Sequence, residues 1–151
     1  MSEQKLHTNL AAEYHVLSML HRFGANALMT VGNKKAVDIV VENGGKTFTV
    51  EVKGLSKGYS FPAGNYRTKI NDKNHYFVFV SFRGQMRSAD AVPDVYIVPA
   101  KDLEKNHAEL GNKPLIIQNK VNNVYTTSLE LLSAKYKNKW EVFQQGNANV
   151  S

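Results

Sequence analysis

The chain has 151 residues, 42% hydrophobic and 21% charged, which fits one folded domain and excludes both a disordered chain and two full-sized domains. Zero cysteines exclude disulfides and thiolate metal sites, and 19 Lys and Arg against 13 Asp and Glu leave a net charge of +6, which favours a polyanionic partner. The start, MSEQKLHTNL, is polar and no apolar run approaches the roughly 18 residues of a membrane span, so we expect a cytoplasmic protein with no targeting segment and no membrane partner.

In chain order, Thr8 or Asn9 can cap a helix over residues 8–23, with Gly24 as its stop. Leu6, Leu10, Leu17 and Leu20 fall on one stripe of this helix, and Glu13 lies near the centre of the stripe. A carboxylate pointing inward is costly unless it is paired or metal-linked, so the alternatives are a rotated helix with Glu13 at a boundary or a functional Glu13. A strand at residues 25–31 follows, then a Gly-Asn-Lys-Lys turn.

The strands at residues 37–41 (VDIVV) and 48–53 (FTVEVK) are joined through Asn43-Gly44-Gly45, a strong hairpin signal. Side chains alternate faces along a strand, so Glu51 and Lys53 share one face while Phe48, Val50 and Val52 take the other. With Gly44-Gly45 as the loop, Asp38 sits directly opposite Glu51; with Asn43-Gly44 the pair becomes diagonal. Either turn leaves Asp38 and Glu51 on the same face, where two carboxylates repel and a divalent cation would resolve the conflict.

Residues 54–74 carry Gly, Pro, Asn and Ser without a clear period and read as a long loop or crossover. Residues 53–73 hold Lys53, Lys57, Arg67, Lys69 and Lys73 against the single acid Asp72, interleaved with Tyr59, Phe61 and Tyr66. Such a loop suits phosphate contacts, and Lys34 and Lys35 ahead of Asp38 extend the same rim; Lys57, Tyr59, Tyr66, Arg67, Lys69 and Lys73 are the candidate DNA-binding residues beside them. A solvated loop whose aromatics cap the core is the plainer alternative.

The run at residues 75–82 (HYFVFVSF) suits a strand buried on both faces, and residues 94–98 (DVYIV) another strand closed by Pro99. A short helix over 101–110, a small strand over 115–118 and a last helix over 128–143 complete the pattern, with Trp140 in core packing or an oligomer contact. We expect one domain over residues 1–143 and a disordered polar tail over 144–151. The five histidines show no metal-ligand spacing and read as surface or boundary residues.

Glu on a first helix, Asp on a second strand and Glu-x-Lys on a third resemble the PD-(D/E)xK, or restriction-endonuclease-like, nuclease superfamily. The matching pieces are Glu13 in AAEYHVLSMLHRFG, Asp38 in KKAVDIVV and Glu51-Val52-Lys53 in FTVEVKG, within residues 8–82; Val37 stands where the family name promises proline. The resemblance looks closest to small single-domain members, namely Holliday-junction-resolvase-like proteins, compact restriction enzymes and homing endonucleases.

The resemblance implies an α/β fold with a restriction-endonuclease-like core, a mixed β-sheet with flanking helices in α-β-β-β-crossover-β order. It implies Mg²⁺, with Mn²⁺ as a substitute, on Asp38 and Glu51, with the Val52 carbonyl as a further ligand and Glu13 at a second metal or a metal-bound water. Lys53 would orient the water and stabilise charge on the phosphate, its plain alternative being an ordinary ion pair with Glu51 or Asp38. The implied activity is Mg²⁺-dependent DNA endonuclease on double-stranded or branched DNA, by a homodimer or homotetramer. The alternatives are a catalytically inactive nucleic-acid-binding domain on the same fold and a structural domain that merely mimics the motif.

Overall fold

Helix α1 spans Glu3–Arg22 in the computed structural model, which describes residues 2–30, 37–62, 64–118, 124–126 and 129–144. Ser2 caps the helix, its side-chain oxygen accepting the Lys5 N–H at 3.2 Å, and Glu3 sits in the first turn where the helix dipole favours an acid. The cap expected at Thr8 therefore moves upstream, since nothing between Ser2 and Thr8 interrupts a helix. Thr8 is buried in mid-helix and its hydroxyl donates to the Gln4 carbonyl at 2.9 Å.

A five-stranded sheet lies against α1, in the order β1 (Asn26–Met29), β2 (Ile39–Asn43), β3 (Lys46–Leu55), β5 (His75–Ser81), β6 (Asp94–Pro99). The β3–β5 pair is parallel and the other pairs are antiparallel, so the sheet is mixed and the β3-to-β5 connection is a crossover. The expected α-β-β-β-crossover-β order is the observed one. Every residue of β5 is buried, as its unbroken apolar run requires.

Face alternation divides the interior in two. Val50 and Val52 of β3 and Val78 and Val80 of β5 pack with Ala12, Val16 and Leu20 of α1, together with Trp140 and Phe143. Phe77 and Phe79 point to the opposite face and pack with Phe61, Tyr66, Tyr96, Leu115, Leu129 and Tyr136.

The buried stripe of α1 is Thr8, Ala12, Val16 and Leu20 with Glu13 beside it, not the leucine stripe that the spacing suggests. Leu6 and Leu10 are 47% and 36% exposed. Gly54 is the reason: a Cβ there would meet the Ala12 Cβ at 2.8 Å and the Thr8 carbonyl oxygen at 3.1 Å. Helix and sheet approach so closely at this point that only small side chains fit between them.

The crossover carries β4 (Phe61–Pro62) and a 3-10 turn at Tyr66–Thr68. Two further pairs flank the second core: β7 (Asn106–His107) with β8 (Lys113–Pro114), and β9 (Ile116–Gln118) with β10 (Val124–Thr126), β10 also pairing with β4. The helix expected over 101–110 does not form. The Leu103 carbonyl accepts the Ile116 N–H at 3.2 Å, where a helix would have used His107, and only 3-10 turns at Ala100–Asp102 and Ala108–Leu110 remain.

The expected last helix is likewise broken, into a 3-10 turn at Leu129–Leu132, α2 (Ser133–Tyr136) and a 3-10 helix at Trp140–Gln144. Between them Lys137 forms a bridge with Tyr96, and the Asn138 N–H donates to the Val95 carbonyl at 3.0 Å, with Asn138 in a left-handed conformation. The chain thereby rounds the β6 margin, placing Tyr136 in one core and Trp140 and Phe143 in the other. At the opposite margin, His21 Nε2 is hydrogen-bonded to the Ala27 carbonyl oxygen at 2.9 Å. Trp140 packs in the core, stacked on Phe23 with centroids 6.2 Å apart, and the Gln144 amide donates to the Phe23 carbonyl at 2.6 Å. The rest of the expected tail, 145–151, lies outside the described residues. Among those residues no helix is long and apolar enough to cross a membrane.

Candidate active site

The hairpin takes the register with Gly44-Gly45 as its loop, pairing Ile39 with Val50 through to Asn43 with Lys46. Both glycines have positive φ, 58° and 83°, as a turn matched to strand twist demands. The β2 ladder stops at Ile39, and there the chain opens. Asp38 donates its N–H to the Val50 carbonyl at 2.9 Å, and the Thr30 N–H donates to the Asp38 carbonyl at 2.9 Å. Its side chain then turns to β3: Asp38 Oδ2 accepts the Val52 N–H at 2.7 Å, against the peptide that joins Glu51 to Val52.

Val50 and Val52 thus direct their peptide groups toward β2, and the Val52 carbonyl shares the direction of its own N–H. Glu51 and Lys53 stand on the sheet face opposite α1 and are ion-paired, Lys53 Nζ to Glu51 Oε2 at 2.7 Å, the lysine side chain 25% and the glutamate 20% exposed. The crossover passes over this pair at Gly64, where an added Cβ would lie 3.5 Å from Lys53 Nζ.

Glu13 is buried, at 7% exposure, so it does point inward as its helical position suggests. It belongs to the helix that covers the Val50 and Val52 face, however, while Glu51 and Lys53 point to the other. Among the described residues no three His, Cys, Asp or Glu side chains are grouped so that they could hold a metal ion. The donors present at the opened end of the hairpin are two carboxylates and a backbone carbonyl. They are hard oxygen donors, and two carboxylates suffice for a magnesium ion that keeps several waters. The residues fit that ion.

Four of the expected DNA contacts remain toward solvent or beside it: Lys57, Lys73 and Arg67 are exposed and Lys69 is half-buried. Lys34 and Lys35 lie outside the described residues. The two tyrosines are turned inward. Tyr66 is 3% exposed in the second core, and its hydroxyl donates to Glu104 Oε1 at 2.6 Å. Arg67 Nε donates to the same carboxylate at 3.2 Å and its guanidinium stands 5.7 Å from the Tyr66 ring centroid, so a salt bridge already engages it. Tyr59 donates to Asp94 Oδ2 at 2.5 Å, and that bond pushes its phenol up to about 12. Both hydroxyls fasten the crossover to the body of the domain.

Two histidines read as surface or boundary residues are buried, His75 at 0% and His107 at 1%. His75 opens β5 beside Thr49 of β3, and Thr49 Oγ1 is hydrogen-bonded to His75 Nδ1 at 2.7 Å. Its Nε2 is buried without a hydrogen-bond partner. Burial pushes the imidazole down to about 4, aided by Lys69 and opposed by Asp72 and Asp38. His75 thus shares a face with Glu51 and an electrostatic neighbourhood with Asp38. The one sequence signal was its place at the head of a fully apolar strand.

The architecture is the restriction-endonuclease-like fold, the fold of the PD-(D/E)xK nucleases. The chain is similar to Hjc, a Holliday junction resolvase from the archaeal hyperthermophile Archaeoglobus fulgidus, with 16% identity and a TM-score of 0.55, covering 89% of this chain and 94% of that one. It is similar also to a bacterial homing endonuclease, with 16% identity and a TM-score of 0.55 over 98% of this chain and 96% of that one. No protein-family model and no curated protein sequence matches the chain.

Proposed function

We propose that the chain is a Mg²⁺-dependent DNA endonuclease, with Mn²⁺ as a substitute metal, acting on double-stranded or branched DNA. The observation that carries the reading is the pairing of the Asp38 carboxylate with the Glu51–Val52 peptide, beside the Lys53–Glu51 ion pair, where the hairpin opens. Asp38 and Glu51, with the Val52 carbonyl, are the residues that would hold the cation. When bound, such an ion supplies an electrophile for the phosphate and acidifies water.

The protein's own groups do the rest. Lys53 donates hydrogen bonds to a phosphate oxygen as charge develops there, and orients the attacking water. Glu51 keeps the Lys53 ammonium in place until substrate arrives. Glu13, buried on α1, would hold a second metal or a metal-bound water, the role that the resemblance implies for it. Lys57, Lys69 and Lys73, with Lys34 and Lys35, meet backbone phosphates. The two fold neighbours, a junction resolvase and a homing endonuclease, support DNA as substrate, as does the net charge of +6. One such site cuts one strand, so duplex cleavage calls for a homodimer or homotetramer.

A second reading, a catalytically inactive DNA-binding domain, has one observation in its favour. The Lys53 and Glu51 charges satisfy each other directly at 2.7 Å. Incubation with supercoiled, linear and four-way-junction DNA, in Mg²⁺, Mn²⁺ or EDTA, separates the two. Metal-dependent cleavage that EDTA abolishes is expected. DNA binding with no cleavage of any substrate would establish the inactive reading instead.

A further inference from the structure

Where the crossover meets the Lys53 ammonium, the residue it presents has no side chain. A Cβ added at Gly64 would stand 3.5 Å from Lys53 Nζ, in ordinary contact and without a clash. That place is open, and any other residue would fill it. An ammonium carries three N–H donors on one nitrogen. One is directed at Glu51 Oε2, 2.7 Å away, so a substrate oxygen must be met by another.

The gap has a fixed size, because the crossover is fastened on both sides of Gly64. Upstream, Phe61 is fully buried in the second core, and β4 pairs with β10, Phe61 with Thr126 and Pro62 with Tyr125. Downstream, Tyr66 is buried with its hydroxyl on Glu104, and the Asn65 carbonyl accepts both the N–H and the hydroxyl of Thr68, at 3.1 and 2.9 Å. Gly64 is exposed, so a solute can approach it. Its φ is 58°, a conformation that glycine adopts freely, asparagine tolerates and alanine resists.

We infer that Gly64 is a positioning residue: its missing side chain leaves room beside Lys53 for one non-bridging phosphate oxygen, and the fastened crossover keeps that room constant. An oxygen bonded to the ammonium at about 2.8 Å would collide with a carbon 3.5 Å from Nζ on the same side. The inference rests on the nuclease reading for its substrate. Gly64 acts through Lys53, so it governs turnover more than the hold on DNA.

Bulk and strain rank the variants in opposite orders. Gly64→Ala brings the smaller side chain and the greater backbone strain; Gly64→Asn brings the larger side chain and the lesser strain. In nicking of supercoiled DNA by the full chain in Mg²⁺, kcat should fall about tenfold in Gly64→Ala and about 100-fold in Gly64→Asn, with KM held within about twofold. The urea midpoint should fall further in Gly64→Ala. Gly45→Asn, at a φ of 83° with nothing within 4 Å, should cut as the wild-type chain does. Cleavage that follows the urea midpoint instead of side-chain size would overturn the inference, as would a wild-type kcat in Gly64→Asn.

A second readout needs no cleavage. In EDTA, acetylation of Lys53 by acetic anhydride, read by mass spectrometry against exposed Lys101, should slow about threefold or more in Gly64→Asn. A bound duplex oligonucleotide should shield Lys53 of the wild-type chain in the same assay. Labelling of Lys53 that neither the substitution nor the DNA alters would overturn the inference. A wild-type chain that cuts no DNA but shows both protections loses the nuclease reading and keeps Gly64 as the gap through which Lys53 meets a phosphate.

Discussion

The Asp38 carboxylate accepts the Val52 N–H at 2.7 Å, one residue past the end of the β2 ladder. A side chain takes over where a backbone partner would have continued, so the gap that opens the site is also sealed against loss of hydrogen bonding. Asp38 consequently has two separable tasks, one structural and one electrostatic.

Asp38→Asn separates them. The amide oxygen still accepts the Val52 N–H, so the unfolding free energy from urea titration should hold within about 1 kcal/mol. Mg²⁺-dependent cleavage should fall about 100-fold or more, as should cleavage by Lys53→Met. Nicking assays on supercoiled DNA read the outcome, and undiminished cleavage by either variant would remove these residues from the site.

Gly54 tests the helix–sheet approach. In Gly54→Ala the new methyl meets Ala12 and the Thr8 backbone, so the variant should lose about 1–3 kcal/mol of stability. The same substitution at Gly45 meets nothing within 4 Å and costs only the strain of a positive φ, of order 1 kcal/mol. Denaturant titration ranks the two.

His75 should shape the acid limb of the stability curve. Its folded value of about 4 lies below the ordinary 6.5, so between those values the unfolded chain binds the extra proton. Stability due to the neutral imidazole is therefore present above about 6.5 and falls as the pH drops toward 4, by at most about 3 kcal/mol. His75→Phe, less stable at neutral pH for want of the Thr49 bond, should show a flatter dependence over that window in urea titrations at stepped pH. An unchanged slope would mean that the proton is taken up elsewhere.

The crossover offers a contrast of roles. Replacing Lys57, Lys69 or Lys73 by alanine should weaken DNA binding and lower the salt slope by about one for each phosphate left without its lysine. Tyr66→Phe should leave that slope alone and instead cost about 0.5–1.5 kcal/mol of folding stability, the net worth of one hydrogen bond, since Glu104 keeps Arg67 and solvent. Fluorescence anisotropy across a salt series distinguishes the two classes.

Much of this arrangement was legible in the residues. Hairpin parity is set by side-chain alternation and turn length, so the register with Gly44-Gly45 as the loop was one of the two that the sequence allowed, and the fully apolar β5 announced its burial. What misled was helical spacing. The leucines of α1 recur on one stripe, but the face that packs on the sheet was chosen by Gly54, a residue about forty positions on. The helices expected over 101–110 and 128–143 failed for a similar cause, since their carbonyls and N–H groups found strand partners at Ile116 and Val95. The hydroxyl bonds of Tyr59 and Tyr66 were not legible locally, because the acids that hold them, Asp94 and Glu104, lie 35 and 38 residues away.

The sheet margins carry a consequence for the protein's behaviour in crowded solution. Lys137 and Asn138 occupy the bonding groups of Tyr96 and Val95 along β6, and His21 occupies the Ala27 carbonyl along β1. A stray strand seeking to lengthen the ladder must first evict a resident at either end. A cationic chain gathers at high local density wherever a polyanion is present, and that is the circumstance in which exposed strand margins seed fibrils. At these positions a neighbouring strand meets bonding groups that are already occupied, which opposes edge-to-edge joining under such crowding.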